Sequence, residues 1–305
     1  MNAETPAPAP TVPAVPAPQE LLAIAVAAAH EAAEYIRSLD RDHLAREYKT
    51  SSHDIVTEHD KRSEEIIVAS LRAALPSCRI VGEEGGERTA AQAGPEQVSF
   101  YVDPIDGTSN FAAGLPLFCV SIGVAVGAGE QERLVAGVID VPILEQVFTA
   151  ADGPAALNGR EITPRATHAA ADALLVTGFP SQRIIEEEPE VAARAATDLH
   201  VGVSAVRHLG SAAIELAYVA AGWADATGLG SINAWDVAAG FHILERAGGS
   251  LRTWPALGDA RLPAHHQPAY VACTGQERIE VFDRLQDELQ AAREARAAGA
   301  PSAHV

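Results

Sequence analysis

Apolar residues recur along this chain in two patterns, which together predict an alternation of helices and strands. Long segments with apolar residues at helical spacing predict six helices, over Glu20–Leu39, Lys61–Ala74, Glu187–Ala196, Ser211–Ala221, Asp236–Arg246 and Glu277–Ala297. Short runs of β-prone residues predict strands at Asp54–Thr57, Arg79–Val81, Val98–Val102, Cys119–Val126, Leu134–Asp140, Gln146–Thr149, Leu174–Thr177, Ser204–Arg207, Asp225–Thr227 and Tyr270–Cys273.

The order of these elements predicts layers of sheet and helix. Three successive strands in the first half, from Cys119 to Thr149, predict an antiparallel meander. Asn158-Gly159 predicts a hairpin turn after it, and Glu87–Glu96 predicts a mobile loop before it. Strands and helices alternate in the second half. We therefore predict a layered structure of the α+β or α/β class.

The length of 305 residues allows one large domain or two closely fused ones. We predict a domain over residues 19–297, with an α+β half at about 19–165 and an α/β half at about 166–297. Residues 1–18 are rich in Ala and Pro and carry no basic segment followed by an apolar core. This composition predicts a disordered tail rather than a signal peptide.

The charge and the cysteine content of the chain indicate which binding partners and which cellular compartment to expect. The formal net charge of −19 argues against a nucleic-acid backbone or an anionic membrane as partner. The longest apolar stretches, such as Val120–Gly127, are too short to span a bilayer. Three widely spaced cysteines form no C-x-x-C pair, which predicts buried thiols in the reducing cytoplasm.

The segment Asp103-Pro104-Ile105-Asp106-Gly107-Thr108-Ser109-Asn110 carries the candidate chemistry. It places two carboxylates three residues apart where a β-prone strand ends. Like charges this close repel each other, and a divalent cation such as Mg²⁺ would relieve the repulsion. The residues behind them predict a turn into a helix, whose first N–H groups can hold an anion. A plain surface turn is the alternative reading of this segment.

Three further acidic segments favour the chemical interpretation. Glu83-Glu84 follows a short apolar strand, Asp60 follows another β-prone segment, and Asp236 begins a predicted helix. Each acid alone is typical of a cap or a solvated loop. An acid at the edge of an apolar element four times in one chain is not explained by solubility alone.

These motifs resemble the inositol monophosphatase family of Mg²⁺-dependent, lithium-sensitive sugar phosphatases. The resemblance covers Lys49 to about Gly249, and the motifs come in the family's order. D-P-I-D-G-T-x-N-F is matched from Asp103 to Phe111, and W-D-x-A-A-G from Trp235 to Gly240, with A-G-G ending at Gly249. The G-E-E and D-[LI]-V-T-x-x-D elements are also present. The family implies an αβαβα five-layered sandwich, a phosphoric monoester hydrolase and a homodimer.

The resemblance also implies a role for each site residue. Glu83, Asp103 and the carbonyl of Ile105 would hold one Mg²⁺, Asp103, Asp106 and Asp236 a second, and Glu83 a weaker third. Thr108, supported by Asp60, would orient or deprotonate the attacking water. The remaining family positions would contact the phosphate or the sugar: Gly107, Gly210, Ser211 and Ala212. Thr108 and Asp236 would also contact the substrate, in addition to the roles given above.

The chain departs from the family at Leu229, where classical members carry a Glu that hydrogen-bonds substrate hydroxyls. Leucine offers no such partner, although Ser231 or Asn233 could substitute. The family resemblance makes inositol 1-phosphate or a related polyol phosphate the leading substrate, while Leu229 leaves other substrates open. Histidinol phosphate, fructose 1,6-bisphosphate and 3′-phosphoadenosine 5′-phosphate are alternatives, and a catalytically silent regulatory protein is a third hypothesis.

His265-His266 stands beside prolines and is predicted to lie in a surface loop rather than to form a metal pair. Hard Mg²⁺ does not favour imidazole. No role in the phosphatase site is therefore assigned to these two histidines.

Overall fold

Two β-sheets with helices between and outside them organise the chain. A computed structural model describes residues 15–39, 47–48, 55–56, 58–88, 97–163 and 165–299. The helices in these ranges are α1 Pro18–Arg37, α2 Glu58–Ala74, α3 Thr108–Ala113, α4 Gln182–Glu187, α5 Pro189–Gly202, α6 Ala212–Ala220, α7 Ala234–Arg246 and α8 Glu280–Gly299.

The strands in the described ranges are mostly short. They are β1 Glu47–Tyr48, β2 Ile55–Val56, β3 Arg79–Gly82, β4 Gly86–Arg88, β5 Val98–Asp106, β6 Cys119–Val126, β7 Arg133–Val141, β8 Gln146–Ala150, β9 Ala156–Leu157, β10 Arg160–Glu161, β11 Leu174–Val176, β12 Ala205–Arg207, β13 Ala226–Leu229, β14 Ser250–Trp254 and β15 Ala269–Cys273.

The first sheet has eight strands in the order β10-β9-β8-β7-β6-β5-β3-β4, and the second has five in the order β12-β11-β13-β15-β14. Strands β1 and β2 form a separate antiparallel pair. The predicted meander is confirmed, because β6, β7 and β8 are antiparallel neighbours. The predicted turn at Asn158-Gly159 is also confirmed: it joins β9 to β10, and both residues have a positive φ.

Helices cover both faces of the first sheet. Helices α1 and α2 pack on one face, while α7 packs on the other. Helices α6 and α7 also contact the second sheet, and α5 and α8 pack against it as well. This arrangement is the predicted layered sandwich. Because both faces of the first sheet are covered, every residue of β5 is buried, the acids at its end included.

Two glycines let α7 approach the first sheet closely. A Cβ on Gly123 of β6 would lie 2.4 Å from Ala238 Cβ, and one on Gly137 of β7 would lie 2.8 Å from the carbonyl oxygen of Ala239. No side chain fits in these gaps. The close approach brings the start of α7, which carries Asp236, to the end of β5.

Several element boundaries differ from the sequence predictions. The predicted loop Glu87–Glu96 begins inside β4, which pairs with β3, and residues 89–96 lie outside the described residues. Strand β14 was not predicted. The helix predicted around Glu187–Ala196 is confirmed as α5, although it begins at Pro189 and continues to Gly202, and the preceding α4 was not predicted.

At the start of the chain, α1 begins with Pro18 as its first residue, and Val15 packs against the core of the first sheet. The rest of the predicted tail, residues 1–14, lies outside the described residues. Within the described ranges, no helix is long and apolar enough to cross a membrane. Cys78, Cys119 and Cys273 are free thiols, and all three are buried.

Candidate active site

The end of β5 delivers two carboxylates to one place. Asp103 pairs with Ser121 of β6 and Asp106 with Cys119, so the register shifts between the two acids. Such a bulge re-aims side chains where a strand ends. The Ile105 N–H donates a hydrogen bond to Asp103 Oδ1 over 3.0 Å, which holds the first carboxylate within the turn.

Asp236 joins these two acids from the first turn of α7. The helix begins one residue after its N-cap, Asn233, whose N–H donates to Asp236 Oδ2 over 2.9 Å in a capping box. One carboxylate oxygen from each of Asp103, Asp106 and Asp236 lies within 4.8 Å of the other two. We call these three residues the acid group. The structure thus brings together residues that are distant in sequence.

Burial makes the acid group unfavourable as three separate negative charges. Burial raises the pKa of Asp103 well above its usual range, and the charges of Glu83, Asp106 and Asp236 raise it further. Burial, followed by the charge of Asp236, raises the pKa of Asp106 to about 7. Burial likewise raises the pKa of Asp236. Clustered carboxylate oxygens of this kind are the ligands that hard divalent cations prefer, so the residues present fit such an ion.

Glu83 stands next to the acid group, in the turn after β3. Its N–H donates to the carbonyl oxygen of Val102 over 3.2 Å, which ties this turn to β5. Burial raises the pKa of Glu83 to about 8, and the charges of Asp236, Glu84 and Asp60 add to the effect. Its carboxylate therefore lies in the same negatively charged surroundings as the three aspartates.

Thr108 and Asp60 form a second feature beside the acid group. Thr108 Oγ1 lies 3.2 Å from Asp60 Oδ1 and 3.1 Å from the carbonyl oxygen of Ile105. Asp60 is buried in the first turn of α2. A hydroxyl has one proton and two lone pairs. With two acceptors in reach, Thr108 can donate to one and accept a hydrogen bond from another molecule.

Gly107 makes the turn from β5 into α3. Its φ is +97°, and a Cβ there would lie 2.9 Å from the carbonyl oxygen of Leu117 and 3.2 Å from that of Gly210. Only glycine fits this conformation and space. The turn leads into the predicted helix start at Thr108, whose first N–H groups have no acceptor within the helix.

Helix α6 contacts the acid group from the second half of the chain. Asp106 Oδ2 accepts hydrogen bonds of 2.6 Å from both Ser211 Oγ and the Ala213 N–H. Ser211 Oγ also accepts from the Ile214 N–H as the N-cap of α6. Gly210, with a φ of +78°, precedes this cap, and Ala212 is the first residue of the helix. Ser211 therefore holds Asp106 in place.

Three residues that support the site were not predicted from the sequence. Asn110 Nδ2 donates to the carbonyl oxygens of Leu117, at 2.6 Å, and Leu209, at 2.7 Å. Glu215 Oε1 accepts from the Leu209 N–H at 3.1 Å, and its Oε2 accepts from Thr227 Oγ1 at 3.2 Å.

Glu64 Oε2, the third case, accepts from the Glu84 N–H at 2.9 Å and so fixes the Glu83-Glu84 turn. A signal was present for Glu215 and Glu64. Each is an acid on the buried face of a helix, in α6 among apolar residues and in α2 beside Asp60 and Ser63, a position where a polar side chain requires a partner.

Leu229, the position that departs from the family, is the last residue of β13. It pairs with Tyr270 of β15 and packs, partly buried, on the apolar cluster between the sheets. The neighbouring Gly230 and Ser231 line a cavity of about 400 Å³ with arginines from α4 and α8. An apolar side chain thus stands where a hydroxyl-binding carboxylate is expected.

The layered fold and the acid group are together typical of a family of metal-dependent phosphatases. The sequence profile of the inositol monophosphatase family matches residues 17–280. The chain therefore belongs to the inositol monophosphatase family.

Relatives of two kinds share this similarity. The chain is 37% identical over 233 residues to the Nus factor SuhB of Pseudomonas aeruginosa, covering 76% of this chain and 84% of that one. It is 36% identical over 203 residues to the inositol-1-monophosphatase of Mesorhizobium japonicum, covering 64% and 71%. The solved inositol monophosphatase of Anabaena superposes with a TM-score of 0.70 at 31% identity, covering 90% of this chain and 96% of that one.

Proposed function

We propose that this chain is a Mg²⁺-dependent phosphomonoesterase that hydrolyses inositol 1-phosphate or a related polyol phosphate with water as nucleophile. One observation carries the proposal: the group of Asp103, Asp106 and Asp236, of which the first two are buried and the third partly buried, stands beside the Thr108–Asp60 pair. Such a site combines cation ligands with a hydroxyl that can position water, the two requirements of metal-assisted hydrolysis.

The ligands would divide between two main cation positions. Glu83, Asp103 and the Ile105 carbonyl would form one, and Asp103, Asp106 and Asp236 the other, with Glu83 also available to a weaker third ion. Bound Mg²⁺ supplies an activated water and offsets the negative charge that develops on the ester oxygens. The raised pKa values of Glu83 and Asp106 are consistent with cation binding, because cations would restore the ionised form of each acid.

The remaining residues would handle the proton and the phosphate. Thr108, which is hydrogen-bonded to Asp60, would orient or deprotonate the water. The N–H groups of Gly107 and Thr108 would bind the phosphate at the start of α3. Gly210, Ser211 and Ala212 would border the alcohol. Since Ser211 Oγ is engaged by Asp106 and Ile214, we assign Ser211 to placing Asp106 rather than to recognising the sugar.

The identity of the alcohol depends on Leu229. Because this side chain cannot accept a hydrogen bond, discrimination between polyols should be weaker than in a site built around a carboxylate. Histidinol phosphate, fructose 1,6-bisphosphate and 3′-phosphoadenosine 5′-phosphate therefore stay alternatives to inositol 1-phosphate.

A regulatory role is the second candidate function, favoured by the 37% identity to a protein named Nus factor SuhB. The two functions are compatible, since the acids of the phosphatase site are all present in this chain. A purely regulatory protein would bind Mg²⁺ without releasing phosphate from any ester.

Phosphate release from a panel of phosphomonoesters, with and without Mg²⁺ and Li⁺, tests both functions. The proposal expects Mg²⁺-dependent turnover that Li⁺ inhibits, and the preferred ester identifies the alcohol. Absence of turnover on every ester, with Mg²⁺ binding intact, would overturn the enzymatic proposal. Light scattering after gel filtration tests the predicted homodimer, and cell fractionation tests the predicted cytoplasmic location.

A further inference from the structure

A second group of metal-ligating side chains lies outside the acid group. It consists of Glu132, His265 and His266, and one ligand atom from each lies within 4.8 Å of the other two. Glu132 precedes β7 of the first sheet, and the histidines lie in a one-turn helix, Ala264–His266, between β14 and β15 of the second. The predicted surface loop at His265-His266 is wrong for His265, whose residue is only 2% exposed.

Both imidazoles present Nε2 to the same carboxylate oxygen. His266 Nε2 lies 2.7 Å and His265 Nε2 3.4 Å from Glu132 Oε2. Tetrahedral zinc bonds of about 2.0–2.1 Å place neighbouring ligand atoms about 3.3 Å apart. His265 already has this spacing, and His266 would have to move back by only about 0.6 Å.

The buried His265 Nε2 makes no hydrogen bond with the described residues, and its contact with Glu132 Oε2 is the 3.4 Å charge contact given above. A buried ring nitrogen without a partner is costly. A metal ion between His265 and Glu132 would satisfy it.

Tyr101 contacts the Glu132 carboxylate of this group. Its hydroxyl lies 3.0 Å from Glu132 Oε1 and 2.9 Å from Oε2, and its ring packs edge-on against both imidazoles. A hydrogen bond to a ligating carboxylate is typical of the surroundings of metal ligands. Tyr101 is two residues before Asp103 on β5, so this group adjoins the acid group along one strand.

Arg79 is the charge that most opposes a cation here. Its Nη1 lies 3.7 Å from Glu132 Oε1. However, its Nε and Nη2 form a paired contact of 3.0 and 2.9 Å with the two carboxylate oxygens of Glu87. Glu87 therefore offsets the charge of Arg79 that a cation at Glu132 would face.

We propose that Glu132, His265 and His266 bind a divalent transition-metal ion of the Zn²⁺ type, with water as the fourth ligand. Two imidazoles and a carboxylate suit Zn²⁺, whereas Mg²⁺ prefers the oxygen ligands of the acid group. A cavity of about 380 Å³ borders Glu132 and His266 and admits the ion and its water. The bound ion would join the segment between β14 and β15 to the first sheet.

Zn²⁺ binding to the full-length protein in excess Mg²⁺ tests the site. Metal is first removed with a chelator, and titration calorimetry then gives the stoichiometry, while X-ray absorption at the zinc edge identifies the ligands. We expect one Zn²⁺ per chain with two imidazole ligands, and a rise in the melting temperature on binding. Wild-type protein that binds no Zn²⁺ under these conditions would overturn the proposal.

Variants separate this site from the acid group. His266→Gln, at a partly exposed position, should weaken Zn²⁺ binding by more than about tenfold, because even partners of metal ligands contribute about 10–100-fold to affinity. Glu132→Gln should do the same. His200→Gln, on the exposed face of α5, is the matched control and should bind Zn²⁺ normally, as should Asp106→Asn.

Two results would contradict the assignment. If His266→Gln still bound Zn²⁺, the imidazole of His266 would not be a ligand of the ion. Its loss in Asp106→Asn would place the ion in the acid group instead. Since Glu132 is buried and Glu132→Gln can fail to fold, His266→Gln is the deciding variant.

Discussion

The carboxyl of Glu215 leads to a prediction of how the free energy of unfolding depends on pH, and the structure determines both the sign and the size of that dependence. Glu215 lies on α6, is 2% exposed, and accepts hydrogen bonds from the Leu209 N–H and from Thr227 Oγ1. Burial raises its pKa from 4.5 to about 7, against the lowering effect of these hydrogen bonds. The folded state therefore holds the proton more tightly than the unfolded state does.

The sign follows from this difference in proton binding. As the pH rises from 4.5 to about 7, the unfolded chain loses this proton first, so the free energy of unfolding falls. At about 1.4 kcal/mol per pH unit, the full difference is about 3 kcal/mol, of which about 2.5 kcal/mol falls between about pH 5 and about pH 8. Glu215→Gln replaces the carboxyl by a neutral group of the same shape and removes this penalty.

The assay is urea unfolding of the wild type and Glu215→Gln, in chelator, at about pH 5 and about pH 8. The free energy of unfolding of the variant relative to the wild type should rise by about 2.5 kcal/mol between the two pH values. Glu190→Gln, at an exposed position of α5, is the control for loss of one carboxylate. Parallel pH dependences of the wild type and Glu215→Gln would refute the reasoning.

Three further predictions concern the candidate active site. Asp106→Asn should lower phosphate release by about 100-fold or more with the circular dichroism spectrum unchanged, because a metal ion contributes several kcal/mol to such reactions; near-normal turnover would show that Asp106 is not a cation ligand. Leu229→Glu should raise kcat/KM for inositol 1-phosphate relative to the other esters of the panel, and an unchanged preference would place the specificity determinant elsewhere. Asn110→Ala should lower the free energy of unfolding by about 2 kcal/mol, because the carbonyl oxygens of Leu117 and Leu209 lose a donor; urea unfolding with no change would mean that water replaces the amide.

Features that depend on neighbouring residues could be predicted from the sequence. Asp103 and Asp106 share one short segment, so their proximity, the turn at Gly107 and the helix start at Thr108 follow from local chemistry. The meander and the Asn158-Gly159 hairpin also follow, since apolar runs and turn residues specify them within a few positions. The family resemblance rests on the same contiguous motifs.

Short strands were harder to predict because pairing with a neighbouring strand determines whether they form. Strand β4 has only three residues, Gly86–Arg88, and exists because it pairs with β3. Strand β14 likewise lies along the edge of β15. Their own sequences carry little β-pattern, so backbone pairing outweighs local propensity.

Contacts between distant segments were decided by the tertiary structure alone. The sequence determined that Asp236 lies at the start of a helix, in its first turn, but only the close packing of α7 on Gly123 and Gly137 places its carboxylate beside Asp103. In the same way, His265 was expected at the surface, and the structure buries it against Tyr101 and Glu132. Local sequence specifies turns and helix starts through short-range sterics and hydrogen bonds, whereas the meeting of these segments depends on how the layers pack.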